Sequence, residues 1–471
     1  MDRRVFQQAM QAKDPRFDGR FFIAVKTTGI YCRPVCPVKS PKQSNVTFFP
    51  TAAAAAEAGY RPCLRCRPES SPGTPAWAGT STTVNRALRL IAEGALDNGG
   101  VEQLSDRLGV TSRHLSRLFM QHLGASPIAI AQTRRLHFAK KLLDETDLTM
   151  TEIAMSAGYG SVRRFNDHFK AIYGRAPSTL RRHGAQGSGG LVINLRYRPP
   201  YDFDGVLAFL RARGIPGVEQ VDAECYRRNI RVDGEVGAVI VTQDKANHQL
   251  RCEITAGSSR ALMLVVSGIR RLFDLDADPL EIATCLGSDP SLAPLVEANP
   301  GRRIPGAWDP FEVAVRAIVG QQVSVKGATT VMGRIADRFG ERVDGRMLFP
   351  SPEILATLCP DDLPMPQARA LAIRSLADSV ATGDIDFAGQ WDTETLVDSL
   401  TSIKGIGPWT AQYIAMRALN DPDAFLHNDL VLLKVARQHI GIDSASELLA
   451  RAEDWRPWRA YAGMHLWSLA T

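Results

Sequence analysis

Four of the chain's eight cysteines fall within its first 70 residues, in two tight pairs, Cys32-Arg-Pro-Val-Cys36 and Cys63-Leu-Arg-Cys66. Two such pairs are the ligand pattern of one tetrahedral Zn²⁺. Any fold for this segment must bring all four sulfurs to a single point. The metal would then either staple a short segment with no core of its own or hold a reactive thiolate. The remaining cysteines, Cys225, Cys252, Cys285 and Cys359, are scattered singly and read as buried or idle.

A length of 471 residues is too great for one core and predicts about three or four domains. With 45% hydrophobic and 23% charged residues the composition is that of an ordinary globular protein. There is no apolar run long enough to span a membrane, and the start, Met1-Asp-Arg-Arg-Val-Phe, lacks an apolar signal core. A cytoplasmic, reducing setting without a membrane partner is expected. There, paired cysteines favour metal or chemistry over disulfides. The net charge of +6 hides an asymmetry. Residues 1–183 hold 27 Lys+Arg against 14 Asp+Glu, and the remainder holds 29 against 36. The basic front points to phosphate contact, whereas the back must bind through local geometry.

Two stretches have linker composition: Ser70-Ser-Pro-Gly-Thr-Pro-Ala and Gly184-Ala-Gln-Gly-Ser-Gly-Gly190. They divide the chain into 1–72, 80–183 and 191–471. Within the last piece, residues 191–300 contain strand-like runs such as Gly237-Ala-Val-Ile-Val, and from Pro310 the periodicity is helical. A mixed unit over 191–300 and a helical one over 301–471 follow.

The middle piece repeats a pattern. Val101 to Gly109 reads as a short amphipathic helix and turn, and Thr111 caps a second helix from Ser112 to about His122. About 50 residues on, Met150 to Tyr159 and Ser161 to Lys170 repeat helix, Gly-containing turn, helix. Each ends in Gly-x-x-Pro, at Gly124 and at Gly174. Two helix-turn-helix units in tandem are far more specific than one αα-hairpin. The segment resembles an AraC-type DNA-binding domain over its whole length. That resemblance implies major-groove entry by each second helix, with Arg113, His114 and Arg117 as candidates on the first and Arg163, Arg164, Asn166 and His168 on the second. One face of each helix must turn to the core, so not all of these can reach DNA.

Around the cysteines, Phe21-Phe-Ile-Ala-Val-Lys-Thr-Thr-Gly-Ile-Tyr-Cys-Arg-Pro-Val-Cys and Gly59-Tyr-Arg-Pro-Cys-Leu-Arg-Cys-Arg-Pro resemble the N-terminal domain of the Ada methylation-response family over roughly residues 1–70. The resemblance implies that Cys32 is both a ligand, with Cys36, Cys63 and Cys66, and the acceptor of a methyl group from a DNA methylphosphotriester. Methylating one of four Zn²⁺-bound thiolates removes a negative charge, which would strengthen DNA binding in a salt-dependent way. The Pro-Cys-His-Arg signature of the family's guanine-O6 methyltransferase domain is absent.

The back half holds Leu400-Thr-Ser-Ile-Lys-Gly-Ile-Gly-Pro-Trp-Thr-Ala, in which Gly405 and Gly407 lie between helical patterns like a helix-hairpin-helix turn. The glycines allow tight turning and let backbone N–H groups approach a DNA phosphate. Some 20 residues later comes Asp429, equally readable as a helix N-cap, with Asn428 as a competing cap. Residues 191–471, including Arg271-Leu-Phe-Asp-Leu, Val315-Arg-Ala-Ile-Val-Gly-Gln-Gln-Val-Ser-Val and Trp455-Arg-Pro-Trp-Arg-Ala-Tyr-Ala, resemble AlkA-type 3-methyladenine DNA glycosylases. The resemblance implies that Asp429 is the catalytic carboxylate and that Trp409, Tyr413 and Trp467 line a pocket for an extruded cationic base. Where bifunctional relatives place a Schiff-base lysine just after the hairpin, this chain has Trp409, so a monofunctional hydrolysis is implied. No cysteine follows Cys359, which excludes a C-terminal iron–sulfur cluster. Where the family pattern puts a leucine that wedges into the gap left by the base, this chain has Gln322, and Gln321 competes for that role.

The expected fold is therefore multidomain and predominantly α: a small zinc-bound α+β domain, an all-α tandem helix-turn-helix domain, a mixed α+β subdomain and an all-α helix-hairpin-helix glycosylase domain. The expected function is an adaptive response to alkylation, with one Zn²⁺ as cofactor. Alkylated and promoter double-stranded DNA are the expected partners, RNA polymerase an accessory one, and the expected state is a monomer. Two alternatives stand: an activator whose glycosylase-like part only binds DNA, and an intact glycosylase with a purely structural zinc site.

Overall fold

The computed structural model describes residues 3–72, 82–97, 99–181, 191–255, 261–387 and 391–470. Residues 73–76 of the first linker stretch and the whole of 184–190 lie outside the described residues. The chain forms two compact units. The first comprises Met1–Pro199, Gln243–Ser267 and Leu275–Ala277, and the second Pro200–Thr242, Gly268–Asp274 and Asp278–Thr471.

The first unit opens with the helix Arg3–Ala12 and four short strands, β1 (Phe22–Val25), β2 (Ile30–Cys32), β3 (Val46–Phe49) and β4 (Arg61–Pro62). They form one sheet in the order β3-β1-β2-β4, antiparallel except for the parallel β2–β4 pair. The segment has more core than its sequence suggests. Phe6 stacks on Phe21 at 4.2 Å, and Phe48 meets Phe21 edge-on at 5.5 Å. Such ring pairs bury large areas at low conformational cost, so the metal is not the sole support of the fold.

The helix-turn-helix segment follows. Its second helices, Ser112–Leu123 and Val162–Tyr173, bury Leu115, Phe119 and Leu123 in one and Phe165, Phe169 and Tyr173 in the other. Spacing of four residues puts each trio on one face and leaves the opposite face to solvent. Thr111 and Ser161 cap the helix starts, and left-handed Gly124 and Gly174 end them. The connecting helix Pro127–Glu145 is buried on several sides and carries even Lys140, Lys141 and Asp144 inside. The unit is completed by strand β5 (Leu191–Arg196), paired antiparallel with a strand Gln249–Ile254.

In the second unit, β6 (Glu219–Val221), β7 (Cys225–Val232) and β8 (Glu235–Asp244, in this unit as far as Thr242) make an antiparallel meander. The β7–β8 turn, Asp233-Gly234, has two positive φ angles, as a two-residue hairpin requires. The rest is mainly helical. The helix Pro310–Val319 is buried from Phe311 onward, with Glu312 and Arg316 included, in keeping with its mainly apolar sequence. One feature departs from an all-α expectation. Arg342–Val343 and Arg346–Met347 pair as a two-residue antiparallel ladder around Asp344-Gly345, both left-handed. The Asp-Gly turn chemistry fixes a hairpin here that helical periodicity hides.

Candidate zinc centre, DNA-reading helices and excision site

Parallel pairing of β2 with β4 sets the first site. Cys32 ends β2, and Cys63, next after β4, donates its N–H to the Tyr31 carbonyl at 3.0 Å. Short turns then bring in Cys36, whose N–H bonds the Arg33 carbonyl, and Cys66. All four sulfurs lie within 4.8 Å of one another. A tetrahedron of sulfurs around Zn²⁺ has edges of roughly 3.8 Å, so the cluster fits the ion with little closure. Hydrogen bonds among the sulfurs, led by those with Cys32, hold the Cys66 thiol well above its ordinary range and Cys63 well below. One shared proton economy of this kind is what a dication replaces. The four residues are not equivalent: Cys63 and Cys66 are buried, whereas Cys32 is half-buried.

Arg33, itself buried, ties this centre together. Its N–H reaches Cys66 Sγ at 3.4 Å, its guanidinium donates to the Cys66 carbonyl at 3.0 Å, and Asp18 accepts from its Nε at 2.8 Å. The centre also meets the helix-turn-helix scaffold. The Tyr31 hydroxyl is hydrogen-bonded to His137 Nε2 at 2.9 Å. Directly after Cys66, Arg67 pairs with Asp144 at 2.9 Å, and Glu69 lies 3.7 Å from Lys140. Thr51 donates to the Leu123 carbonyl and Ser126 to Glu57, both at 2.9 Å. None of these contacts is legible in sequence, because the partners are separated by 69 residues or more.

On the recognition helices, Arg113, Arg117, Arg163, Arg164 and Asn166 are exposed. His114 is half-buried and accepts from Arg117 at 3.0 Å. His168 is different. Its Nδ1 is bonded to the Tyr159 hydroxyl at 2.9 Å, so this residue belongs to the inward face and not with the DNA candidates.

In the second unit the helices Thr393–Ser402 and Pro408–Ala418 flank the glycine turn. Gly405 has φ +100°, and a Cβ there would stand 3.0 Å from Ala372 Cβ, so only glycine fits. A Cβ on Gly407 would meet nothing within 4 Å; this exposed glycine is the N-cap of the second helix, whose first N–H groups lack intrahelical partners.

Asp429 is the N-cap of the helix Leu430–Ile440, and Asn428 is not: Asp429 Oδ1 accepts from Leu432 N–H at 2.8 Å. The same oxygen accepts from Trp467 Nε1 at 3.0 Å, and Oδ2 accepts from Trp409 Nε1 at 2.9 Å. Three of the roughly four acceptor positions of the carboxylate are thus filled by neutral donors, and the open one is on Oδ2. Trp409, Trp467 and Asp429 are all half-buried, so the carboxylate is reachable yet fixed. Tyr413 is buried and stacks on Trp409 at 5.6 Å with an interplanar angle of 12°. Its hydroxyl accepts from buried Arg417 at 3.0 Å. Burial alone would push the phenol up; the guanidinium groups of Arg417, Arg213 and Arg316 more than offset it and hold it below its ordinary range.

The two glutamines of the Gly-Gln-Gln turn part ways. Gln322 is exposed, with a left-handed φ of +57°. Gln321 is half-buried, and its amide is engaged on the hairpin.

Family models match three successive stretches: the metal binding domain of Ada at residues 6–69, a helix-turn-helix domain at 104–183 and the AlkA N-terminal domain at 192–309. A "Probable bifunctional transcriptional activator/DNA repair enzyme AlkA" from Mycobacterium tuberculosis is 42% identical over 474 residues, covering 98% of this chain and 95% of that protein. The "DNA-3-methyladenine glycosylase 2" of Escherichia coli is 36% identical over 282 residues, 59% of this chain and 96% of its own length. Among solved structures, a 3-methyladenine DNA glycosylase from Archaeoglobus fulgidus aligns over 59% of this chain and 97% of its own with a TM-score of 0.52; at 21% identity that likeness concerns the fold. Similarity that runs end to end through zinc, helix-turn-helix and glycosylase segments has one reading: the chain belongs to the family of AlkA-type bifunctional transcriptional activator/DNA repair enzymes.

Proposed function

We propose that the second unit excises alkylated bases of the 3-methyladenine type by hydrolysis of the N-glycosidic bond, without strand cleavage. The observation that carries this reading is the carboxylate of Asp429, immobilised by two indole N–H groups and a helix N-terminus beside the hairpin sequence. Alkylation at a ring nitrogen makes the base cationic and a good leaving group, so no strong general acid is required. As the C–N bond breaks, positive charge develops on the sugar, and a fixed anion opposite it lowers the barrier. The open position on Oδ2 would orient the attacking water, whose proton leaves to solvent. Trp409 and Trp467, already anchored by their N–H groups, present ring faces to a cationic base, with Tyr413 backing Trp409. The hairpin glycines would take the DNA backbone, and exposed Gln322 the gap left by the extruded nucleotide. Free alkylated base released from a methylated duplex by the full chain tests this reading. A monofunctional enzyme leaves an abasic site and yields no borohydride-trapped adduct.

The first unit, on the same proposal, accepts a methyl group at Cys32 and regulates transcription. Support comes from Cys32 standing first in the four-sulfur cluster and, unlike Cys63 and Cys66, being only half-buried. Cys32, Cys36, Cys63 and Cys66 would hold Zn²⁺, and the bound ion would keep the Cys32 sulfur deprotonated at neutral pH. The Cys32 sulfur attacks the methyl carbon of a phosphotriester, the C–O bond breaks, and a phosphodiester anion leaves. The thioether has no return path, so each molecule acts once. Incubation with methylphosphotriester DNA should add one CH₂ to the Cys32 peptide; no gain in mass would leave the zinc purely structural. Methylated protein should bind promoter DNA more tightly than unmethylated protein, and salt should shrink the difference. Arg113, Arg117, Arg163, Arg164 and Asn166, with His114 behind Arg117, form the surface offered to that DNA. RNA polymerase is the protein partner expected there, and the expected working state is a monomer in the cytoplasm.

A further inference from the structure

One side chain joins two loops that are 84 residues apart in sequence. Gln321 Nε2 donates to the Gly405 carbonyl at 2.9 Å and to Thr410 Oγ1 at 3.0 Å. Both hydrogens of the amide are thereby used. Gly405 is the left-handed residue of the hairpin, and Thr410, which is buried, lies in the first turn of the helix that follows it. The next residue along the chain is Gln322, exposed and left-handed, a conformation that a non-glycine side chain holds only when its surroundings impose it. On one side the buried helix Pro310–Val319 ends at Gly320. On the other, Ser324 caps the helix Val325–Phe339. Between these anchors the turn has a single described side-chain tie to the hairpin, the Gln321 amide.

We infer that Gln321 is a positioning residue for excision. It locks the turn that carries Gln322 to the phosphate-facing hairpin, so that gripping the backbone and filling the gap left by the extruded nucleotide are one event. The chemistry selects glutamine. A carboxylate would repel the Gly405 carbonyl, a hydroxyl has one hydrogen for two acceptors, and asparagine is one bond too short. The inference rests on the glycosylase reading above.

A double-mutant cycle tests it, read as single-turnover base excision at saturating enzyme. In the otherwise natural chain, Gln322→Ala should slow excision about ten-fold; in the Gln321→Met background the same change should cost less than about two-fold, because the turn is no longer held in place. Thermal midpoints should show no such coupling, which separates positioning from a general loss of structure. Should Gln321→Met fail to fold, Thr410→Val removes one of the two acceptors and should give a smaller version of the same non-additivity, whereas Thr410→Ser, which keeps the hydroxyl, should restore the full cost of Gln322→Ala. Equal effects of Gln322→Ala in both backgrounds, with natural excision intact, overturn the inference alone. Absence of excision by the natural chain removes the glycosylase reading and the inference together.

Discussion

Replacing Asp429 by asparagine removes one charge and almost nothing else in volume, and its effects can be worked from the contacts. A carboxylate about 4 Å from a developing unit positive charge, at an effective dielectric near 20, contributes about 4 kcal/mol. Its loss therefore slows excision by about a thousand-fold. Asparagine also has a single acceptor oxygen. Turned to keep the Leu432 and Trp467 donors, it sets its NH₂ group against the Trp409 N–H, which now has an acceptor at 2.9 Å. Two donors face to face leave one unsatisfied, at a cost of about 1–3 kcal/mol in stability. Two readouts follow from one substitution: release of free base from a methylated duplex under single-turnover conditions, and the urea midpoint of the second unit in the full chain. Affinity for undamaged DNA should stay within a few-fold, since the hairpin is untouched. A variant that excises within about ten-fold of the natural rate would refute the assignment of Asp429, whatever its stability.

Other expectations are as direct. Arg117→Ala should weaken promoter binding and reduce the salt slope by about 0.9 if its contact is a phosphate, whereas His168→Ala should leave the slope unchanged and cost about 1 kcal/mol of stability through the lost Tyr159 bond. His465, buried on the helix that ends at Trp467, is held neutral by burial, with Arg302 adding to the effect, and its pKa falls from 6.5 to about 4. Its contribution is intact above pH 6.5 and is lost as pH falls toward 4, a change of about 3 kcal/mol, so His465→Leu should flatten the acid side of the stability profile by that much. An unaltered profile would mean that the ring titrates normally. Removing zinc from the full chain with a chelator should lower the thermal midpoint of the first unit and leave that of the second in place; an unchanged first transition would show that the aromatic cluster suffices.

The zinc quartet was legible because its information is local: two short spacings, joined by a parallel strand pair. The recognition helices were legible for the same reason, since a four-residue period and capping residues declare both the buried face and the ends. The excision site was readable only as a roster. Trp409, Asp429 and Trp467 could each be named, but not that both indole N–H groups converge on one carboxylate, because nothing in sequence encodes the direction of a ring. His168 went the other way: it shares its helix with exposed arginines, and only the position of Tyr159 turns it inward. The Phe6, Phe21 and Phe48 cluster and the Arg342–Met347 hairpin escaped because single aromatics and two-residue ladders fall below any periodic signal.

Cys66 and Arg67 are consecutive residues, and so the metal's influence does not stop at the sulfurs. Fixing Cys66 fixes where Arg67 and Glu69 stand, and these are the partners of Asp144 and Lys140 on the helix that joins the two DNA-reading elements. Without them that helix keeps buried charges with fewer counterparts, a costly condition in a protein interior. On the proposed function, the supply of zinc in the cell would be an input to promoter reading as well as to methyl acceptance. On the same proposal, zinc starvation would weaken the sensor and the regulator together while sparing the excision enzyme carried on the same chain.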